Sequence, residues 1–314
     1  MKDIRITALA GGIGAARLLQ GLVRVANPRK LTVIVNTGDD IDFFGLRVSP
    51  DIDIILYTLA GVVHPLQGWG LAEESFSCLR EMEKFGHASW FQLGDRDLAT
   101  HLHRTQLLRQ GWPLTRVTDS IRKRFAVLPR ILPMTDDRVT THMITAAGKM
   151  HFQEYLVKRK SRDRVKEVVF TGAEKARANR EVLSAIRQAD FIIICPSNPI
   201  VSIGPILAVK GIREALRKTK AKIAAVSPLV GGRAIKGPAV KIMSGLGMEA
   251  SAAQVARLYL DFIDLFVIDE EDKAAQPTIA SLGCRVVATD TIMKDLRSKT
   301  RLAREILRAL GRQA

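Results

Sequence analysis

Along this chain, short apolar runs alternate with stretches in which apolar residues recur every three or four positions. Residues 4–10, 31–35, 191–195, 223–226, 265–268 and 285–288 are short, mostly apolar and bounded by turn residues, which predicts strands buried on both faces. Residues 17–25, 54–60, 180–188, 206–218, 252–263 and 300–310 carry the helical period. Strand and helix in alternation predict an α/β, Rossmann-like doubly wound fold on a mostly parallel sheet. The rhythm breaks between residues 64 and 169. Up to about residue 133 the pattern is helical, with breaks at Gly68, Gly70, Gly86, Gly111 and Pro113; β-branched runs then flank Gly148 and predict a β-hairpin. The expected division is a core of residues 1–63 and 170–314 with a largely helical insertion, 64–169, capping the strand ends.

In such a sheet the loops after the strands gather at the carboxyl edge, where ligands bind. The first strand empties into Gly11-Gly12-Ile13-Gly14-Ala15-Ala16 and a helix. Residues without a β-carbon let amides approach an anion, and the helix N-terminus favours negative charge, so a phosphate is the expected guest of Gly11, Gly12, Gly14 and Ala15. Asp39, Asp40, Asp51 and Asp53 crowd the same edge, an arrangement that calls for a cation between them and the phosphates. Hard oxygen ligands suit Mg²⁺, with Asp39 and Asp40 the first candidates. Ser197, Asn198 and Ser202 follow the third run and offer hydrogen bonds to a ribose, base or phosphate; helix capping is the alternative for Ser202. Arg96 between Asp95 and Asp97 reads as a guanidinium held by acids, with helix capping the alternative for either aspartate.

Composition narrows the partners. A 314-residue chain that is 47% apolar and 25% charged supports a packed core. The formal charge of +16 attracts anions, yet the bases are dispersed and only 5% of residues are aromatic, so nucleotide-sized anions are expected rather than nucleic acid. Cys78, Cys195 and Cys284 are isolated, which argues against disulfides or zinc and for a cytoplasmic setting. No run reaches transmembrane length and none reads as a signal peptide, so no membrane is expected as a partner.

The ordered set of Gly11-Gly12-x-Gly14, Asn36-Thr37-Gly38-Asp39-Asp40, Ser49-Pro50-Asp51-Ile52-Asp53, Gly94-Asp95-Arg96-Asp97, residues 131–137, residues 196–205 and the Ser227 loop closely resembles the 2-phospho-L-lactate transferase family of deazaflavin coenzyme F(420) biosynthesis. The resemblance implies a Mg²⁺-dependent dimer that transfers a phospholactyl-type group from a guanosine diphosphate-linked donor to the deazaflavin Fo and releases GMP. It makes Asp53 and Arg96 the deazaflavin-contacting positions. Two residues depart from the family pattern: Ile13 replaces a threonine and Arg17 a lysine. For the proton of the attacking hydroxyl, Asp51 and Asp53 are both candidates. The three-carbon unit stays open between lactyl, enolpyruvyl and glyceryl forms. A noncatalytic nucleotide-sugar-binding regulator and a dinucleotide-dependent dehydrogenase are the competing functions; the latter lacks its third fingerprint glycine, because Arg17 stands there.

Overall fold

The computed structural model describes residues 4–311. Seven strands, Ile6–Ala10 (β1), Leu31–Val35 (β2), Arg130–Pro133 (β3), Phe191–Ile194 (β4), Lys222–Val226 (β5), Leu265–Ile268 (β6) and Arg285–Ala288 (β7), form one sheet. Its order is β7-β6-β5-β4-β1-β2-β3, and every pairing is parallel. Alternating side chains divide the core into two layers. Ala8, Ala10, Val33, Val35, Ile193 and Val226 pack on one face with helix Gly12–Val25 (α1), helix Pro50–Ala60 (α2) and the C-terminal helix Leu296–Gly311. Leu9, Ile34, Ile192, Ile194 and Ala225 face the other way, onto helices that include Arg180–Gln188 and Ile212–Lys218. The doubly wound α/β expectation is met.

The chain leaves β1 toward β2 on one side and β4 toward β5 on the other, so the topological switch lies between the ends of β1 and β4. The glycine turn and the residues following Ile194 therefore face one another across a crevice. α1 approaches its neighbours closely. A β-carbon on Gly14 would lie 2.3 Å from the Pro196 carbonyl oxygen, and one on Gly21 2.1 Å from that of Lys299.

Three local expectations are revised. Arg130–Pro133, assigned to the insertion, pairs with β2 as the sheet's edge strand. A four-residue run ending in proline can serve there because the edge leaves one side of its backbone unpaired. The hairpin is three-stranded, with Thr140–Thr145 paired antiparallel to both Gly148–His151 and Val165–Thr171. The helix expected over 206–218 is broken into Gly204–Ala208 and Ile212–Lys218, because Gly211 adopts φ +97°. The helical character of the insertion stands, in Ser77–Lys84 (α3), Asp95–Arg109 (α4) and Leu114–Arg124 (α5).

Gly21→Ala tests the close approach of α1 to the C-terminal helix. An exposed helical Gly→Ala change stabilises by roughly 1 kcal/mol. Here the added methyl meets backbone that cannot rotate away, so the expected result is a loss of about 1–3 kcal/mol in urea unfolding; a gain would show that the two helices separate at no cost.

Candidate active site at the switch of the sheet

A cavity of about 750 Å³ opens at the carboxyl edge, floored by the glycine turn and by Pro196, Ser197 and Asn198. Its floor is tightly tied. Gly11 N donates to Ser197 Oγ (3.2 Å), and Gly12 N to Asp51 Oδ1 (2.8 Å). Asp51 Oδ2 accepts from Asn36 Nδ2 (2.9 Å), whose Oδ1 takes the Gly38 amide (2.8 Å). Only a glycine fits at residue 11, since a β-carbon would come within 2.7 Å of Asp51 Oδ2 and 2.8 Å of Ser202 Cβ. Ser202 therefore packs under the turn; the capping expected of it falls to Asn198, whose Oδ1 accepts from Ile200 N and Val201 N. Asn198 Nδ2 has no partner among the described residues. Ala15 is fully buried and absent from the cavity wall, and its amide lies past the unsatisfied first turn, so it offers an anion nothing.

The four aspartates are all buried, but they are used differently. Asp39 and Asp51 line the cavity. Burial pushes Asp51 up to about 6 against the opposing hydrogen bonds from Asn36 and Gly12. Asp39 rises well above the usual carboxylate range through burial and then the charge of Asp51. Asp40 is absent from the wall: its Oδ2 accepts from Ser49 Oγ (2.7 Å), its carbonyl accepts from His151 Nε2 (3.1 Å), and burial pushes it up to about 7. A hard cation fits the corner at Asp39. Its Oδ1 is a buried carboxylate oxygen with no hydrogen-bond partner, and Asp51 adds a second negative charge. Among the described residues no group of three or more His, Cys, Asp or Glu side chains is placed to hold a metal ion by itself.

Asp53 lies at the other end of the wall, held at both carboxylate oxygens by Arg104. Arg104 Nη1 also donates to His101 Nδ1 (3.1 Å), and His101 Nε2 faces Asp97 Oδ1 (3.3 Å), which accepts from the Tyr57 hydroxyl. The lattice joins Asp53 and Tyr57, one turn apart on α2, to Asp97, His101 and Arg104 on one face of α4. Burial alone would lower the Arg104 guanidinium, but Asp53 outweighs it and keeps the cation. His101 and Arg104 escaped the sequence reading; the stripe 97, 101, 104 opposite 53, 57 was its available signal. Also missed were Trp69, Trp90 and Phe91, which make an aromatic wall although aromatics are few overall.

Arg96 is not brought to the cavity. It is exposed, and its Nη1 donates to the Ala72 carbonyl (2.9 Å). Neither neighbouring acid holds it: Asp95 accepts from Ser77 N and Cys78 N at the start of α3, and Asp97 turns to Tyr57 and His101. The α4 N-terminus is satisfied instead by Glu74, which accepts from Arg96 N and Asp97 N. The two departures from the family pattern do face the site. Ile13 lines the cavity and packs on Gly68, while Arg17 stands among Lys160, Lys236 and Lys294 on the wall.

The family model described as 2-phospho-L-lactate transferase CofD matches residues 6–305. A phosphoenolpyruvate transferase of Streptomyces griseus is 44% identical over 310 residues, covering 97% of this chain and 98% of its own. A 2-phospho-L-lactate transferase of Methanocaldococcus jannaschii is 39% identical over 310 residues, 98% of each chain. The crystal structure of a UPF0052-family protein from Bacillus halodurans matches with a TM-score of 0.63 at 19% identity, covering 98% of this chain and 100% of that one; it speaks to the fold alone.

The buried acids predict a pH signature. Because their folded values are raised, the folded protein keeps protons that the unfolded chain has released. Their burial cost therefore appears as pH rises past the ordinary carboxylate range and is complete above the raised values. Asp39→Asn is expected to raise the melting temperature at pH 8 without added cation, with the gain vanishing toward pH 4. Equal gains at both pH values would mean that folding leaves the Asp39 carboxyl at its ordinary value, with no burial cost to relieve.

Proposed function

The chain belongs to the 2-phospho-L-lactate transferase CofD family, a family of transferases, and on that premise we propose that it moves a phosphorylated three-carbon acid from a guanosine diphosphate-linked donor to the deazaflavin Fo, in the biosynthesis of coenzyme F(420). The observation that carries this reading is the mixed character of the cavity. Its lining brings together the α1 N-terminus and Arg17, suited to phosphates, and Trp69, Trp90 and Phe91, suited to a flat tricyclic ring. Asp39, Asp51 and Asp53 stand along the wall they share.

In this reading the terminal hydroxyl of the acceptor's polyol chain attacks the distal phosphorus of the donor. A new P–O bond forms as the bond to GMP breaks, and the hydroxyl proton passes to the Asp53 carboxylate. What the protein supplies is alignment and charge stabilisation. The amides of Ile13 and Gly14 at the α1 N-terminus hold the diphosphate, Asp51 holds the turn through the Gly12 amide, and Asp53 takes the hydroxyl hydrogen bond. Asp39 is the candidate ligand for Mg²⁺, which when bound would neutralise the phosphate charge. Arg96 acts at one remove, by holding the carbonyl of Ala72 and so bracing the segment that carries Trp69. The three-carbon group is assigned as enolpyruvyl, because the phosphoenolpyruvate transferase of Streptomyces griseus is 44% identical and the 2-phospho-L-lactate transferase of Methanocaldococcus jannaschii 39%.

Purified protein with Mg²⁺, Fo and either the enolpyruvyl or the lactyl guanosine diphosphate donor is expected to release GMP and phosphodiester product in equal amounts, faster with the enolpyruvyl donor. Removing the cation with chelator should stop turnover, and Asp53→Asn should lower kcat on the order of a hundredfold. Arg96→Ala should raise the acceptor KM severalfold and leave the donor KM unchanged. GMP release that does not depend on Fo, or reduction of a nicotinamide cofactor in its place, would overturn the reading.

A further inference from the structure

We infer that Arg104 is a positioning residue for the transfer: its guanidinium grips both oxygens of Asp53 and fixes that carboxylate where the acceptor's hydroxyl must meet it. The inference rests on the reading of Asp53 as the acceptor-side carboxylate. Arg104 is fully buried and absent from the cavity wall, so it reaches the substrate only through Asp53. The hydrogen-bond directions define its setting. Arg104 is a donor throughout, so His101 Nδ1 accepts from it and the ring's remaining proton is on Nε2, toward Asp97 Oδ1. Asp97 in turn takes the Tyr57 hydroxyl. Asp53, His101, Asp97 and Tyr57 all line the cavity, which leaves the guanidinium as the hidden member that locks the others.

Stability is a poor reason to keep this arrangement. A buried ion pair is commonly matched or bettered by apolar residues of the same volume. Arg104 moreover leaves its Nε without a partner among the described residues, and the second acid nearby, Asp97, adds a further buried charge to the same lattice. Geometry is what the pair provides. A planar fork bound to both carboxylate oxygens removes rotation about the Asp53 side chain, whereas a lysine would restrain one oxygen at a time. The outward lone pairs of Asp53 remain for a hydroxyl from the cavity.

Arg104→Lys separates charge from geometry. The variant is expected to lose tenfold or more in kcat while the donor KM stays within twofold and the acceptor KM within threefold. In an Asp53→Asn background the same change should cost almost nothing, because the two residues then act through one contact. Arg104→Ala, where it folds, should regain activity with added guanidinium and not with ammonium; where it does not fold, the lysine variant carries the test. Wild-type kcat in Arg104→Lys, or losses that add in full to those of Asp53→Asn, would overturn the inference. A crystal structure of Arg104→Lys decides the clamp without turnover: an Asp53 carboxylate turned from its place supports it, and an unmoved one refutes it. Absence of transfer by the unaltered protein would instead remove the assigned reaction, with the crystallographic comparison still deciding whether Arg104 sets Asp53.

Discussion

The cost of burying four carboxylates around one turn organises this molecule more than any other single constraint. A charge taken from water must find hydrogen bonds, an opposite charge, or a proton. Each aspartate resolves this differently. Asp51 takes a backbone amide and the Asn36 side chain; Asp40 takes Ser49 and retreats behind the wall; Asp53 takes a whole guanidinium. Asp39, like Asp40, keeps one oxygen without a partner among the described residues, but it does so on the cavity wall. These solutions dictate sequence far from the acids. Gly11 is bare because Asp51 and Ser202 fill the space of its β-carbon, and α4 carries a buried arginine because Asp53 lies opposite.

What could be read from the chain followed from how local its cause was. Residues 31–35, 265–268 and 285–288 fold as the pattern predicts, because a short apolar run between turns has few other uses. The gathering of the glycine turn, the acidic loops and Ser197 at one edge also followed, since parallel topology brings those loops together whatever their detail. Pairings between distant residues did not follow. Arg104 meets Asp53 across 51 positions, and nothing near either one names the other. Glu74 displaced Asp95 and Asp97 as the cap of α4 for the same reason: the loop that delivers it folds back from 22 residues upstream. Gly94 records that approach, because a β-carbon there would lie 1.8 Å from Glu74 Cγ.

The departures at Ile13 and Arg17 acquire a physical sense in three dimensions. Ile13 has exchanged a hydroxyl for an apolar contact with Gly68, so the glycine turn of the core is packed directly against the insertion. Arg17, half-buried on α1, adds its charge to the burial that lowers Lys236 and Lys299. Crowded cations of this kind are as expensive as crowded acids unless an anion joins them. The same cavity wall thus carries both acids, Asp39, Asp51 and Asp53, and cations, Arg17, Lys160, Lys236 and Lys294.

The insertion supplies a further part of the wall. The core alone contributes the glycine turn, and a sheet with such a turn serves many nucleotide binders equally well. The insertion is what adds Trp69, Trp90 and the α4 stripe to the wall. α4 is joined to the core through buried polar bonds, Arg104 on Asp53 and Tyr57 on Asp97, as well as through Leu107 and Leu108 packed on the apolar layer. Polar bonds of fixed direction hold a helix in one register where an apolar contact tolerates sliding. The α4 side of the cavity is therefore set through a carboxylate that itself lines the wall, so a shift of the insertion and a displacement of Asp53 are one event.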